Sequence, residues 1–291
     1  MNRTEFDFLC GFLRQRSGLI LGQDKMYLIE SRLLPVAKKT GLKSLEELVA
    51  VIRKGQDKKL IQAVTEAMTT NESFFFRDKT PFDTLREQVL PALIEARGGA
   101  RQLRIWSAAA STGQEPYSIA MILKDMQAKI QGWRLDIIGT DLSHEVLEKA
   151  RAGMYSQFEV QRGLPIQMLV KYFKQIGEMW QIDAGLRAMV NFQPGNLLER
   201  FDSLGKFDII FCRNVLIYFD QETKKDILER MVRQMPEDGM LFLGSAETVL
   251  GVTDQLAAVK GLRGVYCKKT LLTAATASRP ATTAPLTAKT A

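Results

Sequence analysis

The chain has 291 residues, of which 46% are hydrophobic and 25% charged, with 21 glycines and 9 prolines. Those proportions exclude a largely disordered or fibrous protein, and the length calls for one large or two modest domains. The three cysteines, Cys10, Cys212 and Cys267, are an odd number without metal-like spacing and there is a single histidine, so no Cys/His zinc site and a reducing compartment are expected. Lys plus Arg minus Asp plus Glu is 40 − 33 = +7; this favours acidic partners but is too dispersed to announce nucleic acid. No apolar run approaches the ~18 residues of a membrane span, and the opening Met1-Asn2-Arg3-Thr4-Glu5-Phe6-Asp7 lacks signal-peptide character. A cytoplasmic protein without membrane insertion is expected.

The first 70 or so residues show helical periodicity and almost no strand signal, with Leu60, Ile61, Val64 and Met68 on one helix face. Residues 24–39 predict a helix that stops at Gly41 and whose outer face is mildly basic through Lys25, Arg32, Lys38 and Lys39. Residues 69–78 break the pattern with Asn71, Ser73 and the run Phe74-Phe75-Phe76, and a further helix is expected over 81–97. From residue 103 on, apolar β-rich runs at 103–110, 135–141, 189–195, 207–212, 240–244 and 264–268 alternate with helical patterns such as 117–126 and 222–235. That alternation predicts βαβ units and a doubly wound, mostly parallel α/β sheet. The interval 154–188 is too long for a plain crossover and reads as an inserted subdomain, with a helix near 165–173 and a short hairpin through Gly177. Residues 270–291, rich in Thr and Ala, predict a disordered tail.

Four motifs carry chemistry. The strand ending at Ala108 runs through Ala109-Ala110-Ser111-Thr112-Gly113 into a helix containing Glu115 and Pro116; small residues there let a ligand approach the backbone at the carboxyl end of the sheet. The loop is neither G-x-G-x-x-G nor a P-loop, which disfavours a dinucleotide or a triphosphate. Asp141 closes the next strand, where a carboxylate either accepts ribose hydroxyls or caps the helix near Ser143. Asn196, in Gly195-Asn196-Leu197, either reads a base edge or makes a turn. The buried run 207–212 delivers Arg213, Asn214 and Tyr218 to the same sheet edge, with Cys212 reading as a small buried hydrophobe. His144 falls on the first turn of a helix and is a poor candidate for a base.

Three strings in this order resemble the chemoreceptor glutamate methyltransferases, the CheR family. They are Thr70-Asn71-Glu72-Ser73-Phe74-Phe75-Phe76-Arg77, Trp106-Ser107-Ala108-Ala109-Ala110-Ser111-Thr112-Gly113-Gln114-Glu115-Pro116-Tyr117-Ser118, and Phe211-Cys212-Arg213-Asn214-Val215-Leu216-Ile217-Tyr218-Phe219. The resemblance spans residues 4–269. It implies an all-α N-terminal domain over 1–75 and a Rossmann-like methyltransferase domain over 76–269, with 154–188 as a small β-subdomain. It also implies an enzyme that uses S-adenosylmethionine to form glutamate methyl esters on methyl-accepting chemotaxis receptors, releasing S-adenosylhomocysteine. The family's cofactor contacts fall on Asn71, Ser73, Arg77, Glu115, Asp141, Asn196, Leu197, Arg213 and Asn214, with Arg77 and Tyr218 as the catalytic candidates.

A glutamate carboxylate, with an ordinary pKa of about 4.3, needs no general base. An arginine clamped on it would stabilise the ground state more than the charge-dispersed transition state. Arg77 is therefore expected on the cofactor's methionyl carboxylate and Tyr218 on the substrate. Receptor methylation regions are acidic, so the basic helix at 25–39 is the expected contact, made by a monomer. The hairpin around Gly177 is short of the glycine-containing insertion of members that bind a receptor's C-terminal peptide, and tethering is not expected. Two rivals differ in class. A nucleic-acid methyltransferase would place an Asn/Asp-Pro-Pro-aromatic motif where Asn214-Val215-Leu216-Ile217 stands, and a non-enzymatic S-adenosylmethionine-binding signalling module would bind without turnover.

Overall fold

The computed structural model describes residues 1–271; the tail expected from residue 270 lies, from 272 on, outside the described residues. Four helices come first: α1 (Arg3–Ser17), α2 (Met26–Lys39), α3 (Leu45–Lys54) and α4 (Lys58–Met68). Asn2 and Glu5 cap the start of α1 reciprocally, while Ser44 and Asp57 each accept an amide of the helix they precede. The apolar faces close a core of their own around Leu9, Leu13, Ile29, Leu33, Leu48 and Val64.

Arg32 departs from the expected basic outer face of α2. Its Nη1 donates to the Met68 and Thr69 carbonyls, each at 2.9 Å, and its Nη2 to Thr70 Oγ1 at 3.4 Å. The carbonyls at the end of α4 have no helical partner, and the guanidinium fork satisfies two of them at once. The outer charge of this segment comes instead from Lys25, Lys38 and Lys39, with Lys25 paired to Asp24 at 3.1 Å.

The helix expected over 81–97 consists of α5 (Thr80–Thr84), a π turn (Leu85–Val89) and α6 (Leu90–Ala96). Pro91 has no N–H and would crowd the Glu87 carbonyl of a regular helix; the wider turn relieves both problems. The alternating region then runs β1 (Gln102–Ala108), α7 (Gln114–Asp125), β2 (Arg134–Asp141) and α8 (His144–Ala152). The insertion contributes β3 (Met154–Ser156), α9 (Gln157–Gln161), α10 (Ile166–Tyr172), β4 (Phe173–Ile176), β5 (Met179–Ile182) and α11 (Ala184–Ala188). After it come β6 (Val190–Pro194), β7 (Ile209–Cys212), α12 (Gln221–Arg233), β8 (Met240–Leu243), β9 (Leu256–Ala258) and β10 (Val265–Lys268). All six expected strands are present, and the three-residue strands β3 and β9 are additional.

Seven strands form one sheet in the order β6-β2-β1-β7-β8-β10-β9, and β3-β5-β4 form a separate antiparallel sheet. In the large sheet β6, β2, β1, β7 and β8 are parallel, while β10 is antiparallel to both its neighbours. This is the expected doubly wound, mostly parallel Rossmann-like sheet, behind an all-α domain. Successive residues alternate between two apolar layers: Ile105, Ile209 and Phe211 face one, Trp106, Ile210 and Cys212 the other. No helix among the described residues is long and apolar enough to cross a membrane.

The winding direction reverses between β1 and β7, and ligands of open α/β sheets bind outside the carboxyl ends at such a switch point. The register makes those ends level. One row runs Gln193, Thr140, Ala108, Cys212, Leu243 across β6, β2, β1, β7 and β8. The residues just beyond it on β2, β1, β7 and β8 are Asp141, Ala109, Arg213 and Gly244.

Candidate active site

A cleft enclosing about 1020 Å³ of empty space, part of it open to solvent, lies beyond that row. All ten residues singled out from the sequence line it: Asn71, Ser73, Arg77, Glu115, Asp141, Asn196, Leu197, Arg213, Asn214 and Tyr218. The sheet alone does not close it. Ser17, Leu19, Met68, Thr69 and Thr70 of the helical domain and its connector supply one wall.

Arg213 is the internal brace of the site. Its side chain is 1% exposed; Nη1 donates to Glu115 Oε2 at 2.9 Å, and Nη2 to Asp78 Oδ2 at 2.7 Å and to the Arg77 carbonyl at 3.0 Å. Three protons of the fork thus serve the protein's own groups, and among the described residues Nε is buried without a partner. Glu115 also accepts from Ser107 Oγ at 2.8 Å on its other oxygen. Burial pushes the Glu115 carboxyl up, with Arg213 and Ser107 pulling against it. An incoming cation would relieve the same desolvation, and each oxygen retains a lone pair for it.

Asp141 accepts the Ser111 amide at 2.8 Å and the Ser143 amide at 3.0 Å, one on each oxygen. It is not the helix cap: Ser143 caps α8, accepting from the Val146 amide. Burial pushes the Asp141 carboxyl up, against the pull of the backbone amides. Asn196 is more committed than its sequence context suggests, because its Nδ2 donates to the Arg16 carbonyl at 2.8 Å and its Oδ1 accepts from the Leu198 amide at 3.0 Å. One N–H and one lone pair remain for a ligand. Arg77 donates from Nη1 to the Glu72 carbonyl at 2.9 Å. Among the described residues the Ser73 and Tyr218 hydroxyls have no hydrogen-bond partner.

Seven non-glycine described residues have positive φ, and six of them lie in the loops around this cleft: Phe76, Asp78, Lys79, Ala109, Ser111 and Asn214. Such conformations cost of order 1–3 kcal/mol each and persist where the surroundings over-determine them. Here the restraints are visible. The Phe76 amide donates to Ser118 Oγ at 3.0 Å, and Ser111 Oγ donates to the Asn71 carbonyl at 2.8 Å.

Asn214 is restrained by Glu247, a residue that sequence reasoning missed. The buried Glu247 carboxylate accepts four backbone amides: Gly244 and Asn214 on Oε2 at 2.7 and 2.8 Å, Leu216 and Val215 on Oε1 at 2.7 and 2.9 Å. It fixes the loop that carries Arg213 and Asn214. A Cβ on Gly244 would lie 2.7 Å from Glu247 Oε2 and 3.0 Å from the Asn214 nitrogen, so only glycine leaves room for this contact. A signal existed in Gly244-Ser245-Ala246-Glu247 directly after a buried strand, but nothing local tells that carboxylate from a solvated one.

The helical domain is pinned to the sheet domain by a second missed acid. Glu66 accepts from Ser143 Oγ at 3.2 Å and from the His144 amide at 3.1 Å, and lies 3.1 Å from His144 Nδ1. The chain's single histidine is therefore engaged at the domain junction and does not line the cleft. Elsewhere Arg14 pairs with Asp220 at 2.6 Å, and the Ile20 amide donates to the Tyr218 carbonyl at 3.3 Å. Cys212 is fully buried, which pushes its thiol well up.

Residues 71–265 match the family model described as "CheR methyltransferase, SAM binding domain", and residues 4–69 match "CheR methyltransferase, all-alpha domain". The chain belongs to the CheR methyltransferase family. It is 43% identical over 266 residues to "Chemotaxis protein methyltransferase 1" of Pseudomonas aeruginosa, covering 90% of this chain and 96% of that protein. It is 40% identical over 267 residues to "Chemotaxis protein methyltransferase 1" of Vibrio cholerae, covering 91% and 96%. The two CheR regions meet at Thr70, which lies on the cleft wall between Thr69 and Asn71. The S-adenosylmethionine implied by the family fits what lines the cleft: a buried and a nearly buried carboxylate with spare lone pairs, beside a loop of small residues held open.

Proposed function

We propose that this chain is a protein-glutamate O-methyltransferase that acts in the cytoplasm on the glutamate side chains of methyl-accepting chemotaxis receptors. The observation that carries the reading is the cleft's division of labour. Of its three carboxylates, Glu72 is paired with Arg162 while Glu115 and Asp141 are the ones we assign to the cofactor, and among the described residues no His, Lys or Cys lines it. A site built that way suits a nucleophile that arrives already ionised, as a glutamate does at neutral pH.

S-adenosylmethionine, when bound, supplies a methyl group on a cationic sulfur that departs as the neutral thioether of S-adenosylhomocysteine. Glu115 would hold the cofactor's ammonium, Asp141 its ribose hydroxyls, and Arg77 its methionyl carboxylate. Asn71, Ser73, Asn196, Leu197 and Asn214 complete the cofactor contacts, and Arg213 acts mainly by holding Glu115 and the 77–78 turn in place. Tyr218 positions the substrate carboxylate. No proton has to move, so the protein's contribution is orientation, worth on the order of 7–11 kcal/mol, and the exclusion of water from a step in which opposite charges vanish.

The receptor's acidic surface would meet Lys38 and Lys39 at the end of α2, one turn from the exposed Leu34. The hairpin between β4 and β5 turns through Gly177 and Glu178 alone, so a receptor tail is not expected to be held there. The test is transfer of radiolabelled methyl from S-adenosylmethionine to receptor-containing membranes, followed by mild alkali. Release of volatile methanol supports an ester; alkali-stable label, or none while the cofactor binds, refutes it. Arg77→Ala is expected to weaken cofactor binding, and lost turnover at unchanged cofactor affinity would overturn its assignment.

A further inference from the structure

Beside Arg77, the rim of the cleft carries a second guanidinium, that of Arg162, to which the proposed methyl transfer gives no role. The guanidinium carbons of Arg77 and Arg162 lie 5.3 and 4.4 Å from the centroid of the Phe74 ring. Glu72 sits with them: its carboxylate pairs with Arg162 Nη2, and its carbonyl accepts from Arg77. Arg162, and then Arg77, hold the Glu72 carboxyl below its ordinary value, so all three groups are charged at neutral pH. Two cations therefore share one anion.

Arg162 comes from the inserted subdomain, at the end of α9, and does not line the cleft itself. It is nevertheless held in place. Gly163, at φ +82°, packs so closely on the phenylalanine motif that a Cβ would lie 2.1 Å from the Phe75 carbonyl oxygen. The Arg162 side chain is 42% exposed, and its Nε and Nη1 bond nothing among the described residues. A guanidinium fixed by a ring and a backbone contact, with two nitrogens presented to solvent, has the fork that matches a carboxylate bidentately.

We propose that Arg162 reads the substrate: its free edge binds a second carboxylate of the glutamate-bearing protein, next to the glutamate that is methylated. This rests on the glutamate reading above. The reacting carboxylate is excluded as its ligand, because a guanidinium clamped there would stabilise the ground state and slow transfer. The Glu72 pair does not compete. Exposed ion pairs are worth about 0–1 kcal/mol, and Glu72 occupies one nitrogen of three. The insertion thereby acts as a specificity element, and it requires no tethered peptide.

The test uses the full chain, wild type against Arg162→Gln and Arg162→Lys. Two substrates are compared: a receptor cytoplasmic fragment, and the same fragment with the acidic residues flanking each methylated glutamate changed to Gln. Both variants should bind S-adenosylhomocysteine as the wild type does in calorimetry, which checks that the fold and cofactor side are intact. On the acidic fragment Arg162→Gln is expected to raise KM about tenfold with kcat unchanged, the scale of one charge-assisted contact. Arg162→Lys should recover part of that, since it keeps the charge and loses the fork. On the neutralised fragment the three proteins should have equal KM. Equal KM on the acidic fragment, or a KM rise that persists on the neutralised one, overturns the proposal. Failure of the wild type to methylate either fragment would instead overturn the glutamate reading on which it rests.

Discussion

The most direct perturbation of the site is one that touches no ligand. Glu247→Gln keeps the size of the side chain, but an amide presents one oxygen acceptor where the carboxylate presents two. Of the four amides at 2.7 to 2.9 Å, the pair on one oxygen must be lost, and the new NH2 is pointed at donors. Hydrogen bonds to a charged group contribute about 1.5–3 kcal/mol each. Because these share one carboxylate and one loop they do not add, and a loss of about 3–5 kcal/mol in total is expected, as for breaking other buried charged networks.

That is a large part of the ~5–15 kcal/mol that holds a typical domain, so urea unfolding should shift to a clearly lower midpoint. Part of the cost falls on the ligand, because the loop at 213–216 must be reordered when Arg213 and Asn214 are needed. S-adenosylhomocysteine affinity measured by calorimetry should fall about 10- to 100-fold, equivalent to ~1.4–2.7 kcal/mol. Glu247→Asp retains the charge but is one methylene short, and should fall between the two. A Glu247→Gln protein with the wild-type urea midpoint and wild-type product affinity would refute the idea that this carboxylate shapes the site.

Gly163→Ala forces a Cβ to within 2.1 Å of a backbone oxygen at φ +82°; a loss of at least ~2 kcal/mol in urea unfolding is expected, and an unchanged midpoint would show that the insertion is not seated as described. Burial pushes the Glu66 carboxyl up, but bonds from Gln62, His144 and Glu145 outweigh it and hold it below its ordinary 4.5. Stability from a depressed carboxyl is fully present above the unfolded value and is lost as pH falls through the folded one. The advantage of the wild type over Glu66→Gln should therefore be present at pH 7 and shrink below about pH 4.5, and a pH-independent difference in urea midpoints would contradict this. Reversing charge with Lys38→Glu and Lys39→Glu should slow receptor methylation at low salt and converge on the wild-type rate as screening rises; a salt-independent rate for the wild type would remove α2 as the docking face.

How far the sequence could be read depended on whether a residue's surroundings are local. The six longer strands announce themselves by composition, whereas β3 and β9, at three residues each, are too short to show alternation. Glu115, Asp141, Asn196, Arg213, Asn214 and Tyr218 were legible because a parallel sheet levels its carboxyl ends, so that Asp141, Ala109 and Arg213 stand one step past a common row, whereas Asn71, Ser73 and Arg77, ahead of β1, came only with the family resemblance. Glu247 was not, because its four donors come from the end of β8 and the loop after β7, strands made neighbours by the winding alone. Arg32 shows the converse. Its helix was correctly placed, but periodicity does not reveal that the chain returns at 68–70 to offer carbonyls to that face.

The domain contacts explain why these features belong to one device. A crevice at a sheet edge is open on one side, and charge-annihilating chemistry needs it dry; here the helical domain supplies the missing wall. Its attachments land beside or on the residues proposed to bind the cofactor and the substrate: Glu66 on Ser143, two residues after Asp141; Arg16 on Asn196; Ile20 on Tyr218. A displacement of the helical domain would then shift ligand contacts on β2, β6 and β7 together, and a ligand that fits the assembled cleft stabilises the docked pose by the same free energy. The strained loops at 76–79, 109–111 and 214 are held by contacts within this assembly. The helical domain is therefore part of the cleft that we propose holds the cofactor, and the receptor contact proposed at α2 would be made by the same domain that forms its wall.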